Sequence, residues 1–579
     1  MSEGSVSGAE VRKTLIHGGS VLPCDGTTPE QEALVLGNGK ILGVGALDAM
    51  ESLAGKDAIR VNVGGATVLP GIVDTHPHAM HFTTLALSVV DLSDAKNHED
   101  IVTRIKKRAA VTPKGEWIMC SPVGEAHYFA RRSYRDLDEG HLPDKELLDK
   151  ASSEHPIMIQ AWAPRLPNVV AMNSMALQEL GLTWHTPSRV CNVWLESDRH
   201  GELTGIVRGS VTNYYTHDPF WMQIWDKLPK PPDETWEHGG RAGMAAMNAL
   251  GVTTIYESHA MDPVHIHAYQ KLQKANAMSC RVQTSLESAD MAFHPHYRPT
   301  PEQLQQTLEL ALSMKDVENE YLRHNGITVA RTGPCAPGFI NLYEPFKSPY
   351  GELIYGYEFL PKWVEEQCVD FCMEHGLRMN ILAATPKDHD SFFDSVQKHS
   401  KEEIRKRKWI LQHAILVNEC DAKRYADLNM CVTTCKGFHW GKGDIYGERI
   451  GKHTWKDLIP LRRYLDHGIT VGCGTDWGPR NVFEQIQLAV TCEFADSGYR
   501  NLDAGQAITV EEALLMWTRD AASVLEWNDV GSLAKGYHAD VTIVDRNPLK
   551  CGIEELSSTK VLRTYFEGKA VFDTGELQS

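Results

Sequence analysis

The chain has 579 residues, enough for one large enzyme domain with a smaller one beside it. Hydrophobic residues make up 42%, with 14 Trp and 18 Tyr, so a substantial core is available and global disorder is excluded. A net charge of −18 with no basic block argues against nucleic acid or an anionic membrane as partner. Thirteen cysteines lie scattered without CxxC pairs, which reads as reduced intracellular thiols and not as a disulfide framework. The start "MSEGSVSGAEVRK" lacks an apolar core and no run approaches 18 apolar residues. The expectation is a soluble, cytoplasmic protein with a small-molecule partner and no membrane partner; a homodimer is the default for such enzymes.

In chain order, "KTLIHGGSVLPCDG" and "EALVLGNGKILGVG" alternate apolar and small residues, and "NGK" at Asn38–Lys40 signals a hairpin. The same texture returns in "GSLAKGYHADVTIVDRNPL" and "VLRTYFEGKAVFDTG". Residues 11–68 and 531–575 are therefore read as one small β domain made from both chain ends. Between them, short β-branched runs alternate with longer helical patterns, the mark of βα units around a parallel sheet. Eight strands are predicted, at 66–76, 252–259, 279–287, 326–332, 377–384, 408–414, 430–436 and 468–476. Eight such units make a (β/α)8 TIM-like barrel over residues 69–530, with its active site where the strands end. The long gap after the first strand holds an inserted subdomain at about 95–250, including strand-like "PIMIQAW" and helix-like "NSMALQEL".

The first of these strands ends in "IVDTHPHAMHF". His76 and His78 alternate on a strand end, so their side chains share a face, as two imidazoles on one metal must. The bland alternative is a pair of solvated loop histidines, and the strand and barrel pattern around them favours metal. Pro77 lacks an N–H and belongs at a strand end. His81 falls outside the ligand spacing and reads as a pocket or surface residue.

The whole chain resembles the amidohydrolase superfamily, in its family 3 branch of N-substituted formamide deformylase-like proteins. The likeness rests on "LPGIVDTHPH", "MNSMALQELGL", "GVTTIYES", "YGERIGKHTWKDLIPLRRYLDHGITVGCGTDWGP" and the ending "ITVEEALLMWTRDAASVLEWNDVGSLAKGYHADVTIVDRNPL", in order. It implies a β-sandwich from both chain ends around a metal-dependent barrel that hydrolyses amide C–N bonds. It makes Asp476, in "GCGTDWG", the acid/base that takes a proton from water and passes it to the leaving group. Capping a turn is that residue's structural alternative. His413, in "ILQHA", becomes a third metal ligand or a donor to the substrate oxygen, although Gln412 stands where the family usually has Glu.

Two positions depart from the family. Thr328 occupies the place of the lysine whose carbamate bridges two metals, and Thr332 that of a downstream Asp. Leu382, or Asn380 if the register slips by two, occupies the fifth-strand histidine position. Neither is a zinc ligand. His76, His78, His413 and Asp476 remain, a set suited to one divalent metal, zinc first, with iron or manganese as alternatives. Glu257 and His259, in "IYESH", are candidates for an additional ligand, against helix capping or a local ion pair, and Cys335 is a weaker one. His294 and His296 form a second His-Pro-His in a Pro-rich loop. Trp477, His439, Trp440 and Trp162, with Phe438, are candidate pocket residues for an apolar or aromatic substrate. Lys436 and Arg449 are candidates to hold a carboxylate, Arg449 more consistent with structural pairing.

The leading function is metal-dependent hydrolysis of an amide or N-acyl bond. The alternatives are a mononuclear-metal isomerase, hydro-lyase or decarboxylase, and a non-catalytic binding protein on the same barrel.

Overall fold

The computed structural model describes residues 12–124, 131–161, 166–213, 215–289, 294, 296–315, 319–333 and 340–577. Eight parallel strands form the central sheet: β1 (Ile72–Asp74), β2 (Val252–Glu257), β3 (Arg281–Glu287), β4 (Leu322–Ala330), β5 (Met379–Ala383), β6 (Ile410–His413), β7 (Cys431–Thr434) and β8 (Val471–Cys473). Each pairs with its neighbour in sequence. The ring is tied shut between its first and last members: Thr75 N–H donates to the Cys473 carbonyl at 3.1 Å, and Asp476 N–H to the His76 carbonyl at 2.8 Å. The strands read as near-continuous β-branched and apolar runs because helices cover the sheet from outside.

All eight predicted barrel strands are present, with one difference of substance. The segment expected as a single strand at 66–76 is two. Thr67–Pro70 belongs to the sheet of the chain ends, and Ile72–Asp74 to the barrel. The break falls at Gly71, where a Cβ would lie 2.1 Å from Thr253 Oγ1.

The second large sheet unites both chain ends, because Val541–Val544 pairs antiparallel with Thr67–Pro70. Asn38 and Gly39 take φ of 53° and 72°, the conformation of a tight hairpin turn between Gln31–Gly37 and Lys40–Gly45. Ile16, Leu34, Val68, Val541 and Ile543 form the core of this sheet. Arg281 at the start of β3 is fully buried and pairs with Asp540 and Glu567 of the C-terminal segment, tying barrel to sheet.

Between β1 and β2 lies a six-stranded sheet running from Ile118–Cys120 to Leu203–Gly209, with its own core around Leu92, Ile101 and Ile157. "PIMIQAW" supplies its strand Ile157–Ile159, and "NSMALQEL" its helix Ser174–Leu180. Helix Thr235–Ala249 then returns to the barrel and packs on helix Ala79–Ser88, which follows β1. Glycines permit that approach: a Cβ on Gly239 would meet Thr84 Oγ1 at 1.7 Å, and one on Gly243 the Ala79 carbonyl at 2.7 Å. No helix among the described residues is long and apolar enough to cross a membrane. None of the described cysteines forms a disulfide.

Candidate metal centre

The C-terminal ends of β1, β6 and β8 bring His76, His78, His413 and Asp476 together, each at most 6% exposed. His76 Nε2 lies 2.9 Å from His78 Nε2. Asp476 Oδ2 is 3.4 Å from His413 Nε2 and 3.9 Å from His76 Nε2, and Oδ1 is 3.7 Å from His78 Nε2. Those spacings are close to what four donors about 2 Å from one tetrahedral cation would have. Burial, then the neighbouring rings, holds His76 and His78 well below the usual histidine range, and burial lowers His413 against the pull of Asp476. Neutral imidazole is the form that ligates a metal. Both ring nitrogens of His413 and Oδ2 of Asp476 are buried without a hydrogen-bond partner among the described residues. Orphaned donors of that kind are costly unless a cation completes them, so the residues present fit a divalent metal.

Three of the four carry left-handed backbone: His78 at φ 48°, His413 at 67° and Asp476 at 45°. Non-glycine residues seldom adopt it, at about 1–3 kcal/mol each, and such strain gathers where a side chain must be aimed. Asp74 holds the arrangement. Its carboxylate accepts from His76 N–H at 2.9 Å, from Thr475 N–H at 3.2 Å and from Thr475 Oγ1 at 2.7 Å. One buried side chain thus fixes both the β1 and the β8 donor. Burial pushes the Asp74 carboxyl up to about 7, although these three bonds pull it down. Gly474 completes the fit, since a Cβ there would lie 2.6 Å from the His76 nitrogen.

A neutral network fills the barrel where the family pattern has its bridging lysine. Thr328 Oγ1 donates within the site formed by the Ser258 carbonyl (2.5 Å) and Ser285 Oγ (2.8 Å). Asn380 Nδ2 reaches Thr328 Oγ1 and the Ser258 carbonyl, both at 3.1 Å, and bonds the Gln412 carbonyl oxygen. Gln412 Nε2 in turn contacts the His76 ring and donates to Ser258 Oγ at 2.9 Å. Leu382 is buried two residues beyond Asn380, opposite Gln412.

The additional-ligand candidates part company. His259 stands 5.7 to 6.2 Å, ring to ring, from His76, His78 and His413. Both its nitrogens are engaged, Nδ1 with Glu287 Oε2 at 2.8 Å and Nε2 with the Tyr215 hydroxyl. Glu257 caps helix Ala79–Ser88: its Oε1 accepts from Met80 N–H at 3.0 Å and from the Tyr269 hydroxyl at 2.8 Å. His81, read from sequence as a pocket or surface residue, is not on the surface. It is buried, and its ring nitrogens, those of His78 and the Glu257 carboxylate offer donor atoms within 4.8 Å of one another. Burial takes the His81 ring down to about 4.

Of the aromatic candidates, Trp477 packs 6.5 Å from His78 and 4.2 Å from Phe82, and Phe438 lies 5.2 Å from His413. His439 is turned onto Phe494 (4.8 Å), and Trp440 sits under Arg131. The reason is helical: Lys436–Arg449 presents Phe438 and Lys442 to His413, which leaves the two residues following Phe438 on other faces. Trp162 and Cys335 lie outside the described residues. Lys436 is buried on the first turn of that helix, and its Nζ has no hydrogen-bond partner among the described residues. Arg449 lines a cavity of about 510 Å³ with Tyr134, Gln160 and Asp444, away from the ligands. His294 and His296 are exposed and face Asp262 and Asp226. Asp74, Lys442 and Tyr215 were not singled out by sequence; only the i, i+4 spacing of Phe438 and Lys442 offered a local signal.

A buried His/Asp cluster at the C-terminal rim of an eight-stranded parallel barrel defines the class of metal-dependent barrel enzymes. Comparison narrows this. The amidohydrolase family pattern matches residues 61–572. N-substituted formamide deformylase of Arthrobacter pascens is 23% identical over 96% of this chain and 98% of its own length. Protein LONG AFTER FAR-RED 3 of Arabidopsis thaliana is also 23% identical, over 97% and 92%. Among solved structures, a metal-dependent hydrolase from Pyrococcus horikoshii superposes with a TM-score of 0.68 at 18% identity, covering 94% of this chain and 99% of that one. The chain belongs to the amidohydrolase family, and is a hydrolase of the type that acts on C–N bonds.

Proposed function

We propose that this protein hydrolyses the C–N bond of an amide or N-acyl compound with an aromatic or apolar part, using one divalent cation, zinc by the nature of its donors, held by His76, His78, His413 and Asp476. The observation that carries the reading is the convergence of these four buried side chains, two of them with orphaned donor atoms. A cation bound there supplies Lewis-acid polarisation of a carbonyl and makes water acidic near neutral pH.

The chain's own residues do the rest. The three imidazoles stay neutral through burial and so remain available as ligands. Asp476 takes the proton of the attacking water at Oδ2 and delivers it to the leaving nitrogen; its Oδ1 is held by Trp477 N–H at 2.8 Å. Trp477, Phe82 and Phe438 exclude bulk water and give the apolar part of the substrate a surface. The similarity to a formamide deformylase supports N-formyl and N-acyl amines as first substrates. The test is a screen of N-formyl and N-acyl aromatic amines for released acid. Asp476→Asn should lower turnover by at least about 100-fold; unchanged turnover overturns the assigned role.

One observation favours a second reading. The neutral Thr328–Asn380–Gln412 network replaces the charged bridge of two-metal hydrolysis, which suits an isomerase, hydro-lyase or decarboxylase on one metal. Product mass separates them, since only hydrolysis adds the elements of water across the broken bond.

A further inference from the structure

Helix Lys436–Arg449 is an addition at the mouth of the barrel. Only Cys435 separates it from β7, so it starts at the rim where the metal centre lies. The chain after it returns to that same rim, just beyond β6: Val417 N–H donates to the Asp457 carbonyl at 3.0 Å, and Ile459 N–H to the Ile415 carbonyl at 2.7 Å. The descent to β8 is left to the short helix Leu461–Asp466.

Phe438, Lys442, Ile445 and Arg449 follow one another at steps of four, three and four, which puts them within about 60° of one another on the helix. The inner end of this stripe is at the metal centre. Phe438 lies 5.2 Å from the His413 ring, and Lys442 Nζ 4.5 Å from the Phe438 ring. The outer end, Ile445 and Arg449, lines the cavity of about 510 Å³ whose other wall includes Tyr134, Gln160 and Leu166 of the inserted subdomain. A cavity of that size suits a small organic ligand. From Phe438 the helix rises about 10 Å to Ile445 and about 16 Å to Arg449.

The chemistry changes along the stripe. Its inner part is aromatic ring and hydrocarbon, with Phe438 and Lys442 fully buried. At the cavity, Asp444 and Glu448, one turn apart, join Asp496 to put three carboxylates on the wall against the guanidiniums of Arg135 and Arg449. Arg449 Nη2 donates to the Leu166 carbonyl at 3.5 Å, and Arg135 lies over the Tyr134 ring. Glu448 and Asp496 are exposed at the opening. An excess of negative charge at a cleft's mouth draws in a cation and turns away a carboxylate.

We propose that this cleft is the outer half of the substrate site. It takes the far end of an elongated amide, an end that carries an amine, while the stripe from Phe438 to Ile445 holds the apolar chain between that end and the carbon attacked. The inference rests on the proposed centre and narrows its substrates to N-formyl or N-acyl compounds with an apolar stretch about 10 Å long and a cationic end.

The test uses full-length, zinc-loaded Ser497→Cys protein, whose new thiol stands at the exposed lip of the cleft, beside wild type treated alike to account for the exposed Cys191 and Cys420. After reaction with a bulky maleimide, the variant should keep its zinc against a chromophoric chelator over the time in which treated wild type and the unlabelled variant are emptied. Before that reaction, ω-aminooctyl formamide should slow the initial rate of labelling and octyl formamide should slow it much less. Adding Glu448→Gln should narrow the difference between them. Zinc lost equally fast from the labelled variant and from wild type overturns the cleft as the way in and leaves the centre standing. Equal slowing by the two formamides, or none, overturns the amine-ended ligand and the proposal with it. A wild type that takes up no zinc overturns both centre and cleft. Retained zinc and selective slowing without hydrolysis of either formamide uphold the cleft and overturn the proposed reaction. Melting curves of each variant distinguish a blocked cleft from a lost fold.

Discussion

Replacing Asp74 by alanine removes a side chain that touches no substrate, yet it should damage both fold and metal centre. The carboxylate accepts three hydrogen bonds, from His76 N–H, Thr475 N–H and Thr475 Oγ1, at 2.9, 3.2 and 2.7 Å. The residue is fully buried, so alanine leaves three donors without water or a substitute acceptor. At about 1–2 kcal/mol for each stranded donor, the loss is about 3–6 kcal/mol. A second effect is positional. His76 and the Thr475–Asp476 pair lose the group that fixes them to each other, and metal affinity should fall by about 10–100-fold, as when other outer partners of a ligand are removed. Thr475→Val removes the hydroxyl bond alone and should cost about 1 kcal/mol. Urea unfolding of the stripped proteins measures the first effect, and chelator competition the second. An Asp74→Ala protein that unfolds at the wild-type urea concentration and holds zinc as tightly would refute the reasoning.

Three further outcomes are expected. Arg281→Met leaves the buried Asp540 carboxyl without its cation and should destabilise the protein by about 3–5 kcal/mol, read by thermal or urea unfolding; an unchanged midpoint would show that the pair does not join barrel to sheet. Gln412→Ala strands the Asn380 amide and a face of the His76 ring, and should cost about 2–4 kcal/mol together with weaker zinc retention in the same assays. His389 is held neutral between the Tyr425 hydroxyl (2.9 Å) and the Leu416 carbonyl (3.2 Å), and burial lowers it to about 4. Between about pH 6.5 and 4 the unfolded chain therefore binds the extra proton, so stability is full above 6.5 and falls as pH drops, by about 1.4 kcal/mol per pH unit for this ring. Unfolding midpoints measured from pH 7 to 4.5 should fall less steeply in His389→Gln; equal slopes would contradict the assignment.

The barrel was legible because each strand is a short β-branched run whose period needs no partner to be seen. Its boundaries were less so: nothing local in "ATVLPGIVDTH" announces that Gly71 hands the chain from one sheet to another, since both sheets bury apolar residues there. His76, His78, His413 and Asp476 stand at strand ends, the places a barrel reserves for chemistry, and so sequence could mark them. What holds them was hidden for the opposite reason. Asp74 acts on a residue 401 positions away, Gln412 on one 336 away, and Tyr215 reaches His259 from the inserted segment. Such pairings exist only after the chain closes on itself. His81 shows the limit from the other side: its spacing from His78 fits no strand pattern, because by that point the chain has become a helix whose first turn leads back toward the rim. His439 and Trp440 were expected on a loop after β7; the segment is a helix, which aims consecutive residues in different directions, His439 onto Phe494 and Trp440 under Arg131.

The central claim is that a metal ion sits where β1, β6 and β8 end. An anomalous difference map collected above the zinc edge, on crystals of the zinc-loaded protein, tests it most directly. The account predicts a peak about 2.0–2.2 Å from donor atoms of His76, His78, His413 and Asp476. Clear density for those four side chains with no peak between them would contradict it.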